Sequence, residues 1–315
     1  MIIANPIYDT VFKYMMSDSR VAKTFLSAII GEKIVELDFA STEYTLKTGV
    51  EKSQIDRTLE QITVCRFDFA AKIETENGDC KTVIIELQKA KFATDIMRFR
   101  RYLGTMYQSV ENTYDTHRVK ARQIYCIYLL NYEIDLSDSP IIKVDYTVSD
   151  LTTGEKLEKK NEFIESLNHK SWIVQVRQLK EKRRNELENL LSIFDQDNIT
   201  EDRHILNIDD SQFSKEYQHI IRKLREAYES KQVREEMQME DDFIKELQLK
   251  DEELAESKKS HAETKKSLAE SKKSLAESKK SLAESKKIIK EKDKSLAEKE
   301  RELEELKRLL EKKVN

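Results

Sequence analysis

Two carboxylates on neighbouring strands can share one divalent cation, and residues 65–89 offer such a pair in Asp68 and Glu86. Arg66, Asp68, Ala70 and Lys72 alternate with Phe67, Phe69, Ala71 and Ile73, the period of two that marks a strand with one buried face. A second strand, Thr82-Val83-Ile84-Ile85-Glu86-Leu87-Gln88, is β-branched and apolar until it reaches its own acid. Between them Glu76-Asn77-Gly78 signals a turn. The turn decides whether the acids meet, because a slip of one residue moves every side chain to the other face. A two-residue loop at Asn77-Gly78 sets Asp68 opposite Leu87. A three-residue loop of Glu76-Asn77-Gly78, with Gly78 left-handed in a G1 bulge, sets Asp68 opposite Glu86, their Cβ atoms about 5 Å apart. The three-residue loop is the expectation, since it gives the acids a common use as ligands of Mg²⁺ or Mn²⁺, with the Leu87 carbonyl and waters completing an oxygen shell. Such a cation activates water and stabilises a leaving oxygen in phosphodiester hydrolysis. The competing reading pairs Asp68 and Glu86 with Arg66, Lys72 or Lys81 on an exposed sheet face.

An acid on one strand followed by Glu86-Leu87-Gln88 on the next resembles the PD-(D/E)XK nuclease superfamily, whose pattern is an acid and then Glu-x-Lys. Upstream, Asn5-Pro6, Tyr8-Asp9 and Phe12-Lys13-Tyr14 resemble the opening of the bacterial PD-(D/E)XK nuclease family transposases, relatives of the recombination-promoting nucleases. Those relatives often carry Glu-x-Gln, which Gln88 fits. The resemblance covers roughly the first 130 residues by pattern. It implies a restriction-endonuclease-like α/β core, a mixed sheet flanked by helices, in which Asp68, Glu86 and Gln88 are catalytic and Asp68 and Glu86 hold the metal. Gln88 accepts no proton and would orient water by hydrogen bonds alone. Asp9 is the candidate third acid, or else the N-cap of the first helix.

Composition narrows the class. Of 315 residues 37% are charged, with only five Gly and two Pro, which points to a helix-rich chain. A net charge of −4 gives no global basic field, so any DNA contact must come from local clustering. Three Cys without a Cys-x-x-Cys pair suit a reducing compartment, and five scattered His form no imidazole metal motif. No leader pattern and no apolar run approaching a membrane span is present, so a cytoplasmic protein with no membrane partner is expected.

The elements that must position the acids follow from periodicity. One helix is expected from Val11 to a stop at Gly31, and a short strand at 34–39. After Gln88 a helix over 92–110 carries Phe92, Ile96, Phe99, Leu103, Met106 and Tyr107 on one face and Lys91, Arg98, Arg100 and Arg101 on the other. Those arginines, with Arg118, Lys120 and Arg122, are the candidate DNA-backbone contacts. Gly104 inside that helix suggests a close packing contact. The apolar run at 123–131 reads as a buried central strand. Residues 155–240 read as helices, with Trp172 in a core, and 180–184 (Lys-Glu-Lys-Arg-Arg) as a solvated face or a phosphate contact. Finally, Leu247, Leu254, Leu268, Leu275, Leu282, Ile289, Leu296, Leu303 and Leu310 keep a seven-residue beat through the Ser-Leu-Ala-Glu-Ser-Lys-Lys repeats, broken at His261. A strict heptad predicts a left-handed coiled coil, here a parallel homodimer with a thin middle, on the order of 100 Å long. The expected domains are a nuclease-like core at 1–150, a helical region at 151–240 and the coiled coil at 241–315.

Overall fold

A computed structural model of the chain describes residues 1–48, 61–89, 91, 95–109, 113–115, 120–179 and 185–314. It divides into two compact units, Met1–Gln248 and Leu249–Asn315.

Strand β1 (Ile2–Ala4) leads into α1 (Asp9–Met16) and α2 (Ser19–Ile30). The single helix expected over this stretch is two, because Asp18 leaves helical geometry (ψ 116°) and its carboxylate accepts the Arg20 and Val21 N–H groups to cap α2. Gly31 ends α2 at φ 77°, as its position predicted. Strand β2 (Ile34–Phe39) is followed by an antiparallel pair, β3 (Glu43–Thr48) and β4 (Gln61–Arg66), and then by β5 (Phe69–Thr75) and β6 (Cys80–Gln88). The strand expected through Asp68 is therefore broken at Phe67-Asp68. Phe67 and Ala70 both pack into one cluster, which strict alternation forbids, so the chain must turn between them.

Helix α3 (Asp95–Gln108), the short strands β7 (Thr113–Asp115) and β8 (Lys120–Ala121), and β9 (Gln123–Leu130) come next. They are followed by β10 (Ile141–Val144), α4 (Glu162–Ser166), β11 (His169–Gln175), α5 (Glu186–Leu191), β12 (Ile205–Asn207), α6 (Gln218–Glu229) and α7 (Lys231–Val314). The principal sheet has the order β10-β11-β9-β6-β5-β2, with β6, β9 and β11 parallel and the flanking strands antiparallel. It is thus a mixed sheet in an α/β unit. As expected, 123–131 supplies a central strand: β9 lies between two parallel neighbours and is buried almost throughout.

Side chains of β6 alternate between two cores. Val83, Ile85 and Leu87 join the main core with α1, α2 and α6, while Ile84 faces a smaller cluster of Phe67, Ala70, Met106, Ile124 and Cys126 beneath α3. Several expectations fail here. Residues 155–240 are not helical throughout: the Trp172 run is β11, inside the principal sheet, and this whole stretch belongs to the first unit. A short run buried on both faces carries no period to separate strand from helix. On α3 the buried positions are Thr105 and Met106, with Tyr102 and Leu103 packed beside them, whereas Ile96 is 71% exposed. Among the described residues a Cβ at Gly104 would meet nothing within 4 Å, so no close contact there explains that glycine. The basic run 180–184 and the polar stretch 49–60 lie outside the described residues, as do Phe92 and Arg118.

Cys80 and Cys126 are free thiols. Among the described residues no helix is long and apolar enough to cross a membrane. In the second unit α7 continues unbroken, and Leu254, Leu268, Leu275, Leu282, Ile289, Leu296 and Leu303 are exposed on the single chain.

Candidate acid site

The hairpin turns through Glu76-Asn77-Gly78. Thr75 N–H donates to the Asp79 carbonyl at 3.1 Å, Gly78 N–H donates to the Thr75 carbonyl at 2.8 Å, and Gly78 adopts φ 77°, which a side chain would oppose. The resulting register pairs Glu74 with Cys80 and Phe69 with Ile85. Extended by one step it sets Asp68 across from Glu86, the alignment that the three-residue loop predicted. The ladder has ended there, and the Asp68 carboxylate takes over its hydrogen bonding: Oδ2 accepts the Leu87 N–H at 2.6 Å. Glu86, two residues along β6 from Ile84, lies on the α3 side of the sheet.

Glu86 is only 3% exposed, and its buried Oε1 has no hydrogen-bond partner among the described residues. Burial, and then the neighbouring Asp68 carboxylate, push its carboxyl far above the usual range. Burial, and then the charge of Asp9, raise Asp68 as well, against the opposing pull of the Leu87 N–H, Lys13 and Arg98. The exposed-face reading of these residues therefore does not hold. Lys81 is itself buried and pairs with Glu32, while Glu86 is buried and Asp68 half-buried.

Asp9 is the first residue of α1 and not its N-cap, a position occupied by Tyr8 without a side-chain bond. Its Oδ2 accepts from the Lys13 ammonium at 2.6 Å, and its buried Oδ1 has no hydrogen-bond partner among the described residues. The charge of Asp9 acts on both Asp68 and Glu86, and that of Asp68 on Glu86. Yet among the described residues no three His, Cys, Asp or Glu side chains converge closely enough to hold an ion between them. Gln88 is buried two residues beyond Glu86 on the same face of β6, its carbonyl accepting the Asn131 N–H at 2.8 Å. The three arginines of α3 divide. Arg98 is partly buried and its charge favours both ionised acids, whereas Arg100 and Arg101 are exposed.

Sequence reasoning missed four contributors. Lys13 was legible, since a Lys four residues after an Asp on a helix is a standard pair. Tyr128 stands beside Glu86 in the β6–β9 register and is its aromatic neighbour on β9, a placement that depends on the crossover through residues 89–122. Glu240 and Asp241, at the root of α7, reach α1 and the end of β6 from across the chain. No family model, curated protein or solved structure matches this chain. The donor set nevertheless suits a hard divalent cation: two carboxylates aligned across the hairpin and, among the described residues, partnerless buried carboxylate oxygens on Glu86 and Asp9.

Proposed function

We propose that this chain is a Mg²⁺- or Mn²⁺-dependent DNA endonuclease, associated with transposition or recombination, of low sequence specificity and acting in the cytoplasm. The observation that carries the reading is the Asp68–Glu86 pair, aligned across the hairpin and short of counter-charge. A bound cation would favour ionisation of both carboxyls, releasing the proton that the buried pair otherwise retains. When bound, the metal supplies an activated water and positive charge at the leaving oxygen. Asp68 and Glu86 would hold it, with Asp9 as the third acid in its field. Gln88 would orient the attacking water through its amide. Arg98 balances charge around the carboxylates. Arg100 and Arg101, exposed on α3, would grip phosphates without reading bases. The restriction-endonuclease-like reading of the α/β core, and a parallel homodimer formed through the heptad leucines of α7, belong to the same proposal.

A second reading has its own support. No three acids converge on one point among the described residues, and Gln88 stands where the superfamily has Lys. On that reading the chain is a catalytically inactive, nuclease-derived interaction protein that oligomerises through its coiled coil. Plasmid nicking separates the two. The endonuclease nicks supercoiled DNA with Mg²⁺ or Mn²⁺, and folded Asp68→Ala and Glu86→Ala proteins do not; metal-independent nicking equal in all three would discard the proposed site.

A further inference from the structure

The first turns of α7 touch both segments that carry the acids. Helix α1 has no capping side chain of its own, and Glu240 supplies one from 231 positions away, its Oε2 accepting the Asp9 N–H at 2.9 Å. One turn earlier, Glu236 accepts the Thr10 hydroxyl. Next to Glu240, Asp241 binds the Lys89 ammonium and the Tyr8 hydroxyl (3.0 Å), and lies 3.2 Å from His204 Nε2. Tyr8 directly precedes Asp9, and Lys89 follows Gln88 at the end of β6. Two consecutive acids of α7 therefore hold the chain immediately beside each acid-bearing segment. The joint is packed as well as bonded, with Lys89 Nζ 3.2 Å from the centre of the Tyr8 ring.

We propose that Glu240 is a positioning residue of the acid site: by capping α1 it fixes Asp9, and the Lys13 paired with it, against Asp68 and Glu86. This rests on the metal-site reading given above. Metal sites tolerate misplacement of only about 0.5 Å, and Asp9 sits at a helix terminus, the part that frays first when its free N–H groups lose their acceptor. Among the described residues Glu240 bonds neither Asp68 nor Glu86; its Oε1 lies 4.0 Å from Lys89 Nζ, whose closer partner is Asp241, so its direct hydrogen bond to the Asp9 N–H is the route by which it acts on the acids.

The test uses the full chain with Glu240→Ala and Glu240→Gln, each alone and in an Asp9→Asn background. Mn²⁺ affinity is read by electron paramagnetic resonance, exchange of the Asp9 and Thr10 amides by NMR, and kcat and KM by plasmid nicking. Glu240→Ala is expected to weaken Mn²⁺ binding about tenfold, the usual effect of removing an outer support of a metal site, to speed both amides, and to lower kcat with KM unchanged. Glu240→Gln keeps an acceptor oxygen and should restore most of the loss. In the Asp9→Asn background Glu240→Ala should add almost nothing, as a residue acting through Asp9 requires. Wild-type Mn²⁺ affinity in folded Glu240→Ala, or an undiminished effect in the Asp9→Asn background, overturns the inference. Should Glu240→Ala not fold, Glu240→Asp withdraws the oxygens by one methylene and carries the same expectation. Absence of Mn²⁺ binding in the wild type is a different failure, of the metal-site reading itself, and takes this inference with it.

Discussion

Replacing Glu86 by Gln tests the electrostatics of the site without requiring activity. The raised carboxyl of Glu86 stays protonated in the folded, metal-free protein at neutral pH, while the unfolded chain ionises it near its ordinary 4.5. The folded state then binds a proton that the unfolded state has released, so stability falls as pH climbs from the unfolded value toward the folded one. The slope is about 1.4 kcal/mol per pH unit for one proton, so by pH 7 the cost reaches about 3 kcal/mol. Gln has the shape of the protonated acid and does not titrate. Glu86→Gln should match wild type near pH 4 and exceed it by about 3 kcal/mol at pH 7, or roughly 6–12 °C in Tm for a unit of this size. Urea unfolding followed by the fluorescence of Trp172, the single tryptophan and buried on β11, measures this at each pH. Mn²⁺ should invert the order, stabilising wild type increasingly with pH and leaving Glu86→Gln unmoved, because the ion binds the ionised form. A stability difference independent of pH, or a Gln variant less stable than wild type at pH 8, would refute the protonated-acid account.

Other perturbations separate the remaining roles. Gln88→Ala should lower kcat while leaving Mn²⁺ affinity nearly unchanged, and Gln88→Lys should remain active; loss of metal binding in the Ala variant would make Gln88 a ligand. Gly104→Ala should stabilise the fold by about 1 kcal/mol in urea unfolding, since α3 has space for a Cβ and Ala is the better helix former; destabilisation would reveal a packing contact from outside the described residues. Deleting 249–315 should leave Mn²⁺ affinity intact and shift the protein toward monomer in sedimentation, and a helical 249–315 peptide that stays monomeric at high concentration would reduce the tail to a spacer.

What the sequence discloses depends on how local the cause is. The hairpin register was legible because it is set by three turn residues, one of which, Gly78, must adopt positive φ. Gly31 announced the end of α2 for the same reason. Strand β11 was not legible, because the Trp172 run is short and buried from both faces, and its identity comes from β9 and β10 on either side. The break at Phe67-Asp68 was hidden too: it follows from where Phe67 packs under α3, not from any local breaker. Glu240 and Asp241 stand in an acidic stretch that reads as an ordinary solvated helix face. Their partners, Asp9 and Lys89, lie 231 and 152 positions away, and nothing in the local pattern marks them.

The charge balance of the acid site separates it from the structural ion pairs of the same fold. At Asp79 the Lys160 ammonium, 2.8 Å away, holds the carboxyl below its ordinary range, as a counter-ion that stabilises the folded state must. Glu32 meets Lys81, and Asp145 meets Lys170 and Lys143. At Asp68 and Glu86 cations are present as well, Lys13 and Arg98, yet both carboxyls are displaced upward, because burial first, then the charge of Asp9 on Asp68 and of Asp68 on Glu86, outweigh them. A purely structural site is improved by exchanging such a pair for apolar residues, so a buried, under-compensated pair is one that the fold sustains at a cost. A proton on Glu86 relieves that cost below its raised pKa, and on the proposed function a divalent cation would take the proton's place between the two carboxylates.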